Sequence, residues 1–220
     1  YEESMDKNLN KLMARWKWRL LLALMLFTLF FEALRIDGGG YLLAEMMSYL
    51  LFTLIFVGTE RVVKLHGWVR LLVWAVLISW LLFSFTRMAG SNVYVNETTA
   101  LTAVIVLGCL IVTFAELTGR TSTDADIIYG AVFCYFLMAL SWGLLYEQME
   151  RWQSGSFNLA DGPHSTAAFF YFSLVTITTL GYGDILPTSP VSRLAAGVEA
   201  AIGLLYVAVF IGRIVGRAER

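Results

Sequence analysis

Two stretches of this chain, Thr98 to Ala115 and Ile127 to Tyr146, contain no charged residue at all. As a helix rising about 1.5 Å per residue, each is long enough to cross a hydrocarbon layer of about 30 Å. In lipid no water is present to satisfy stray backbone amides, so a spanning segment is either a helix or a strand of a closed barrel. The apolar–polar alternation of barrel strands appears nowhere along the sequence, which leaves helices. Further runs at 19–35, 41–58, 68–86 and 192–214, together with 98–117 and 126–147, bring the expected spans to six. Composition agrees: 15% of the residues are charged and 58% hydrophobic, whereas soluble domains carry about 25% charged residues.

Lys and Arg in the short connections fix the expected orientation. Lys7, Lys11, Arg15, Lys17 and Arg19 precede or open the first span, Arg61, Lys64 and Arg70 follow the second, and Arg213, Arg217 and Arg220 end the chain. Both termini are therefore expected in the cytoplasm of a plasma (inner) membrane. The connections around Asp37-Gly38-Gly39-Gly40 and Gly90-Ser91-Asn92 face outward. Asn96-Glu97-Thr98 on that side matches the glycosylation pattern, a match that arises often by chance. No secretory signal or large cytosolic domain is expected.

Several function classes drop out. A net charge of -1 gives no reason to expect nucleic acid. Cys109 and Cys134 both lie in apolar runs, so no disulfide framework is expected. There is no paired-carboxylate site, no metal-ligand cluster and no nucleophile with a base; His66 and His164 stand singly in connections. An enzyme and an organic cofactor are not expected.

Between the fifth and sixth spans lies a stretch that does not cross. Pro163 marks a helix start, and Ser165 to Ile177 is an apolar run too short to span. It runs into Thr178-Thr179-Leu180-Gly181-Tyr182-Gly183-Asp184, with Pro187 close behind. This segment resembles the pore signature of the potassium-channel superfamily. The resemblance covers roughly residues 126 to 217, which look like its outer helix, pore helix, filter and inner helix. Taken as a whole, the chain resembles bacterial potassium channels that have no charged sensor helix.

The residue types make chemical sense as a filter. To strip water from a cation, successive carbonyls must face one axis, although neighbouring carbonyls of a strand point opposite ways. Left-handed dihedrals at alternate residues achieve this, and Gly181 and Gly183 reach them without a Cβ clash. The resemblance implies K+ ions held by Thr179, Leu180, Gly181, Tyr182 and Gly183, with Thr178, Asp184, Tyr171 and Val175 as supports behind them. Two departures stand out. The aromatic pair often found as Trp-Trp is Tyr171-Phe172, and the residue before Gly-Tyr-Gly, usually Val or Ile, is Leu180.

On the last span, Gly203 falls where inner helices of the superfamily carry a hinge glycine, although close helix packing accounts for glycine equally well. Leu204, Val207, Ile211 and Val215 share one helical face and are expected to line the cavity and gate. Glu199, deep in this span, admits two roles: drawing cations if it faces the cavity, or bonding to the pore helix, the preferred reading. A voltage sensor needs several basic residues within the field, and the fourth span has none between Thr98 and Leu117.

The expected architecture is an all-α membrane protein of six transmembrane helices plus a re-entrant pore helix and filter loop. Its parts are a cytoplasmic segment at 1–18, a four-span leading domain at 19–120 and a pore domain at 121–220. Three identical subunits would complete a homotetrameric, K+-selective pore. The alternatives are a weakly selective cation channel and a membrane sensor or regulatory subunit with a vestigial pore.

Overall fold

The computed structural model describes residues 18–27, 53–55, 67–88, 95–118, 124–159 and 166–218. The Asp37–Gly40 connection, Arg61, Lys64, Pro163, both histidines and most of the expected second span lie outside them. The described residues form helices α1 (Trp18–Phe27), α2 (Gly67–Met88), α3 (Val95–Thr118), α4 (Asp124–Trp152), α5 (Thr166–Ile177) and α6 (Pro190–Ala218). Two short strands complete them, β1 (Phe157–Leu159) and β2 (Ile185–Pro187). Among these residues, three stretches are long and apolar enough to cross a membrane: Asn96–Leu117, Ile128–Trp152 and Pro190–Phe210. The protein is mostly helical, as the uncharged runs require.

Contacts gather into two compact units, Tyr1–Val73 with Cys109–Cys134, and Trp74–Gly108 with Tyr135–Arg220. In the first, Trp18 packs its ring 6.2 Å from that of Phe133, and the Arg19 guanidinium lies 4.8 Å over the Tyr129 ring, a cation–π contact. Gly130 makes room for this packing: a Cβ there would come within 2.5 Å of the Leu117 side chain.

The second unit holds the elements that follow the fifth span. The end of α4 is turned by Gly155, whose φ of +85° suits glycine. Glu150 then fastens the turn, its two oxygens accepting the amides of Gly155 and Phe157 at 2.9 Å each. β1 pairs antiparallel with β2, Phe157 opposite Pro187 and Leu159 opposite Ile185. Phe157 thereby sits in an aromatic cluster with Tyr146, Phe169 and Phe172, whose rings meet edge to face at 5.1 to 5.5 Å. α6 starts where local chemistry demands. Ser189 is its N-cap, accepting the Ser192 amide at 3.1 Å, and Pro190 fills the first helical position. The Ser192 hydroxyl, fully buried, donates to the Ser156 carbonyl at 2.8 Å and so ties α6 to the turn before β1.

The geometry around Asn96 bears on the glycosylation pattern. Asn96 lies on α3, its amide oxygen accepting a hydrogen bond from Arg151 at 3.3 Å. Thr98 is buried on the same helix. A helical site with a buried threonine does not present the extended backbone of an exposed acceptor loop, so the match is explained as chance.

α5 lies against α4 through one glycine. A Cβ on Gly143 would stand 2.8 Å from the Phe170 Cα and 3.1 Å from the Phe169 carbonyl oxygen, both backbone atoms that cannot turn aside. Gly143→Ala is expected to destabilise the protein by about 1–3 kcal/mol through overpacking. Gly108→Ala, with nothing within 4 Å of the new Cβ, should be neutral or stabilising by up to about 1 kcal/mol. Thermal unfolding of both variants in detergent micelles checks the contrast.

Candidate functional site

The site begins at the end of α5. Each of its last four carbonyls finds a donor. Thr178 returns its amide to the Leu174 carbonyl at 3.1 Å and its hydroxyl to the same oxygen at 2.6 Å. The Thr179 amide bonds to the Thr176 carbonyl, and the Leu180 amide to that of Val175, both at 2.9 Å. This pair of bonds is a Schellman closure, in which the residue after the cap adopts a left-handed conformation and is usually glycine. Here that residue is Thr179, with φ of +58°. The Gly181 amide also points back to Val175, at 3.2 Å. The remaining carbonyl, that of Ile177, accepts the Tyr135 hydroxyl of α4 at 3.0 Å.

Left-handed backbone therefore recurs at every second residue: Thr179 at +58°, Gly181 at +60° and Gly183 at +82°. The glycines were legible from sequence; Thr179 was not, because a β-branched residue is an outlier in that region. The helix closure is what imposes it. Residues 178–184 are exposed along their length in the single chain, Leu180 by 56% and Tyr182 by 66%.

The supports expected behind this segment are placed unevenly. Tyr171 donates to the Asp184 carboxylate at 2.8 Å, while the other Asp184 oxygen accepts the Ile185 amide at 3.1 Å. Val175 is buried and contributes its carbonyl. The Tyr182 hydroxyl has no hydrogen-bond partner among the described residues.

α6 runs behind α5. A Cβ on Gly203 would meet the Ile177 side chain and come within 2.6 Å of its carbonyl oxygen, so close approach is reason enough for glycine there. Leu204 and Val207 are exposed on the single chain, by 64% and 40%. Ile211 and Val215 lie on α6, but their side chains are outside the described residues. Glu199 is fully buried, one carboxyl oxygen accepting the Tyr146 hydroxyl at 2.5 Å and the other facing the Ser173 hydroxyl. Tyr135, Tyr146 and Ser173 were not singled out in the sequence. The signal was a polar tip at 135, 146 and 173 within otherwise apolar runs, and nothing in the pattern says which such tips meet.

Comparison with known proteins bears on the same segment. Residues 127–220 match the family model described as an ion channel. "Potassium voltage-gated channel protein shk-1" of Caenorhabditis elegans is 50% identical over 44 residues, 20% of this chain and 8% of the relative. "Two pore potassium channel c" of Oryza sativa subsp. japonica is 32% identical over 84 residues, 38% of this chain and 18% of the relative. "Potassium voltage-gated channel protein Shal" of Drosophila melanogaster is 38% identical over 56 residues, 26% of this chain and 10% of the relative. The chain thus spans less than a fifth of the length of these curated relatives. No solved structure matches it. From α4 through the Gly-Tyr-Gly turn to α6, this integral membrane protein is similar to ion channels.

Proposed function

We propose that the chain is one subunit of a potassium-selective channel, in which four copies surround a pore lined by the backbone of Thr179, Leu180, Gly181, Tyr182 and Gly183. The observation that carries this reading is the left-handed backbone at 179, 181 and 183. Alternating dihedrals are what a run of carbonyls needs to face one side and replace the water around a cation. K+ is the permeant ion and the filter's occupant, and no chemistry is performed on it. The relatives named as potassium channels support the choice of ion.

Assembly with three identical subunits is supported by what the single chain leaves uncovered. Val191, Leu194, Leu204, Leu205 and Val209 on α6 are each more than 60% exposed, as is Tyr182 in the turn. Lipid suits the apolar side chains, but not the exposed backbone of 178–184, which other copies of the turn would enclose. Residues 121–220 make the pore domain and 19–120 the leading spans, with the chain's termini in the cytoplasm of the plasma membrane. Gly203 is the point about which α6 would bend, and Leu204, Val207, Ile211 and Val215 line the cavity down to the gate.

Conduction depends on the filter backbone. Gly181→Ala places an L-residue at φ of +60° with no neighbouring atom within 4 Å of the new Cβ, so the cost is dihedral strain of about 1 kcal/mol or more per subunit. Protein should be recovered, and K+-selective flux into liposomes should be lost. Flux equal to the parent's, with K+ still preferred over Na+, would remove the filter from this segment.

The hydrophobic gate is tested separately. Ile211→Asn or Val215→Asn should wet the cytoplasmic mouth and raise resting K+ flux several-fold. Unchanged resting flux in both variants would place the gate elsewhere, with the filter as the candidate.

Gating should depend weakly on voltage. One elementary charge crossing the full field yields about 2.3 kcal/mol per 100 mV, and α3 carries no Lys or Arg over its whole length. Arg70, near the start of α2, is the basic residue best placed to move. If it moved a quarter of the way in each of four copies, the total would be about one charge. A conductance–voltage curve from planar bilayers should therefore be shallow, and a gating charge well above about four per tetramer would contradict this reading.

A further inference from the structure

Glu199, Tyr146 and Ser173 meet at a point where α6, α4 and α5 come together, and all three residues are fully buried. The protons there can be counted. The Tyr146 hydroxyl donates to one Glu199 oxygen at 2.5 Å. The Ser173 oxygen lies against two others: the Ala139 carbonyl at 2.7 Å and the second Glu199 oxygen. A serine hydroxyl has one proton, and a peptide carbonyl has none to give. Were Glu199 a carboxylate, it too could only accept. One of the two contacts would then bring oxygens together with no proton between them. Both contacts are satisfied only when Ser173 donates to Ala139 and the Glu199 carboxyl donates to Ser173. The surroundings agree, because Glu199 has no Lys, Arg or His partner among the described residues, and burial without a cation beside it disfavours the charged form.

We infer that Glu199 is a neutral carboxylic acid, and that in this form it is the positioning residue for the filter. It accepts from α4 and donates to α5, so a single side chain of α6 joins both. Four residues on, the pattern repeats in register: Gly203 of α6 presses on Ile177 of α5, whose carbonyl is held by Tyr135 of α4. The pore helix is thus gripped at Ser173 and again at Ile177 by the same two helices. Thr178 to Asp184 follow directly from the second grip. The titratable groups that face Glu199 are the phenols of Tyr146 and, more distantly, Tyr135, both on α4. The inference about the filter rests on the proposed channel function, whereas the protonation state does not.

Two measurements on the full chain in liposomes test it. In neutral buffer, the infrared difference between parent and Glu199→Gln should contain the C=O band of a protonated carboxyl. A carboxylate band in its place overturns the inference whether or not the protein conducts. In the second arm, Glu199→Gln should keep the parent's K+ over Na+ flux ratio, since an amide offers the same acceptor to Tyr146 and the same donor to Ser173. Glu199→Ala, which leaves the Tyr146 hydroxyl without its acceptor and the Ser173 oxygen without its donor, should lower the ratio at least tenfold. If Glu199→Ala is not recovered, Ser173→Ala provides the reading, with a fall of several-fold expected. A ratio unchanged in the recoverable variants, or lost equally in Glu199→Gln and Glu199→Ala, refutes the positioning role. Failure of the parent itself to pass K+ refutes the channel reading instead, and the infrared band still decides the state of Glu199.

Discussion

The termination of α5 is the constraint on which the rest of the site depends. A helix of twelve residues leaves its last carbonyls without partners inside the helix, and each one buried and unmet would cost of the order of 1–3 kcal/mol. Here the amides of Thr178, Thr179, Leu180 and Gly181 fold back to meet three of them, and Tyr135 meets the fourth. That solution forces a left-handed residue directly after the cap, so the chain enters the Gly-Tyr-Gly turn with its alternating dihedrals already begun. The conformation is a consequence of ending the helix, and the two glycines continue it at no steric cost.

The same economy appears at the helix's sides. α5 carries no basic residue in its last turn and no acidic one in its first, so its placement relies on shape and hydrogen bonds. Gly143 lets α4 approach from one side, Gly203 lets α6 approach from another, and Phe169 and Phe172 join the aromatic cluster around Phe157. Backbone-to-backbone approach of this kind is what apolar helices use where lipid offers no hydrophobic drive to associate.

Much of this was legible in the sequence because the bilayer permits few alternatives. Uncharged runs gave α3 and α4 close to their observed limits, and the apolar run from 165 to 177 gave α5 nearly to the residue. Gly181 and Gly183 stood out as residues that only a left-handed backbone needs. What escaped was set by tertiary contact. Nothing local marks Thr179 as left-handed, since its conformation follows from bonds to Val175 and Thr176. Strands β1 and β2 are three residues each and carry no alternation that could announce them. The meeting of Glu199 with Tyr146 spans 53 positions, a distance over which periodicity within a helix carries no information.

The pairing of β1 with β2 has a consequence for the order in which the protein is built. It joins residues 157–159 to 185–187, and Ser156 adds bonds to the Thr188 amide and the Ser192 hydroxyl. The short helix and its turn, 166–184, therefore lie between two points of the chain that are tied together. Closing a loop costs entropy that grows only as the logarithm of its length, and here contacts within one chain meet that cost. The segment 178–184 is thus shaped largely by contacts within the single chain.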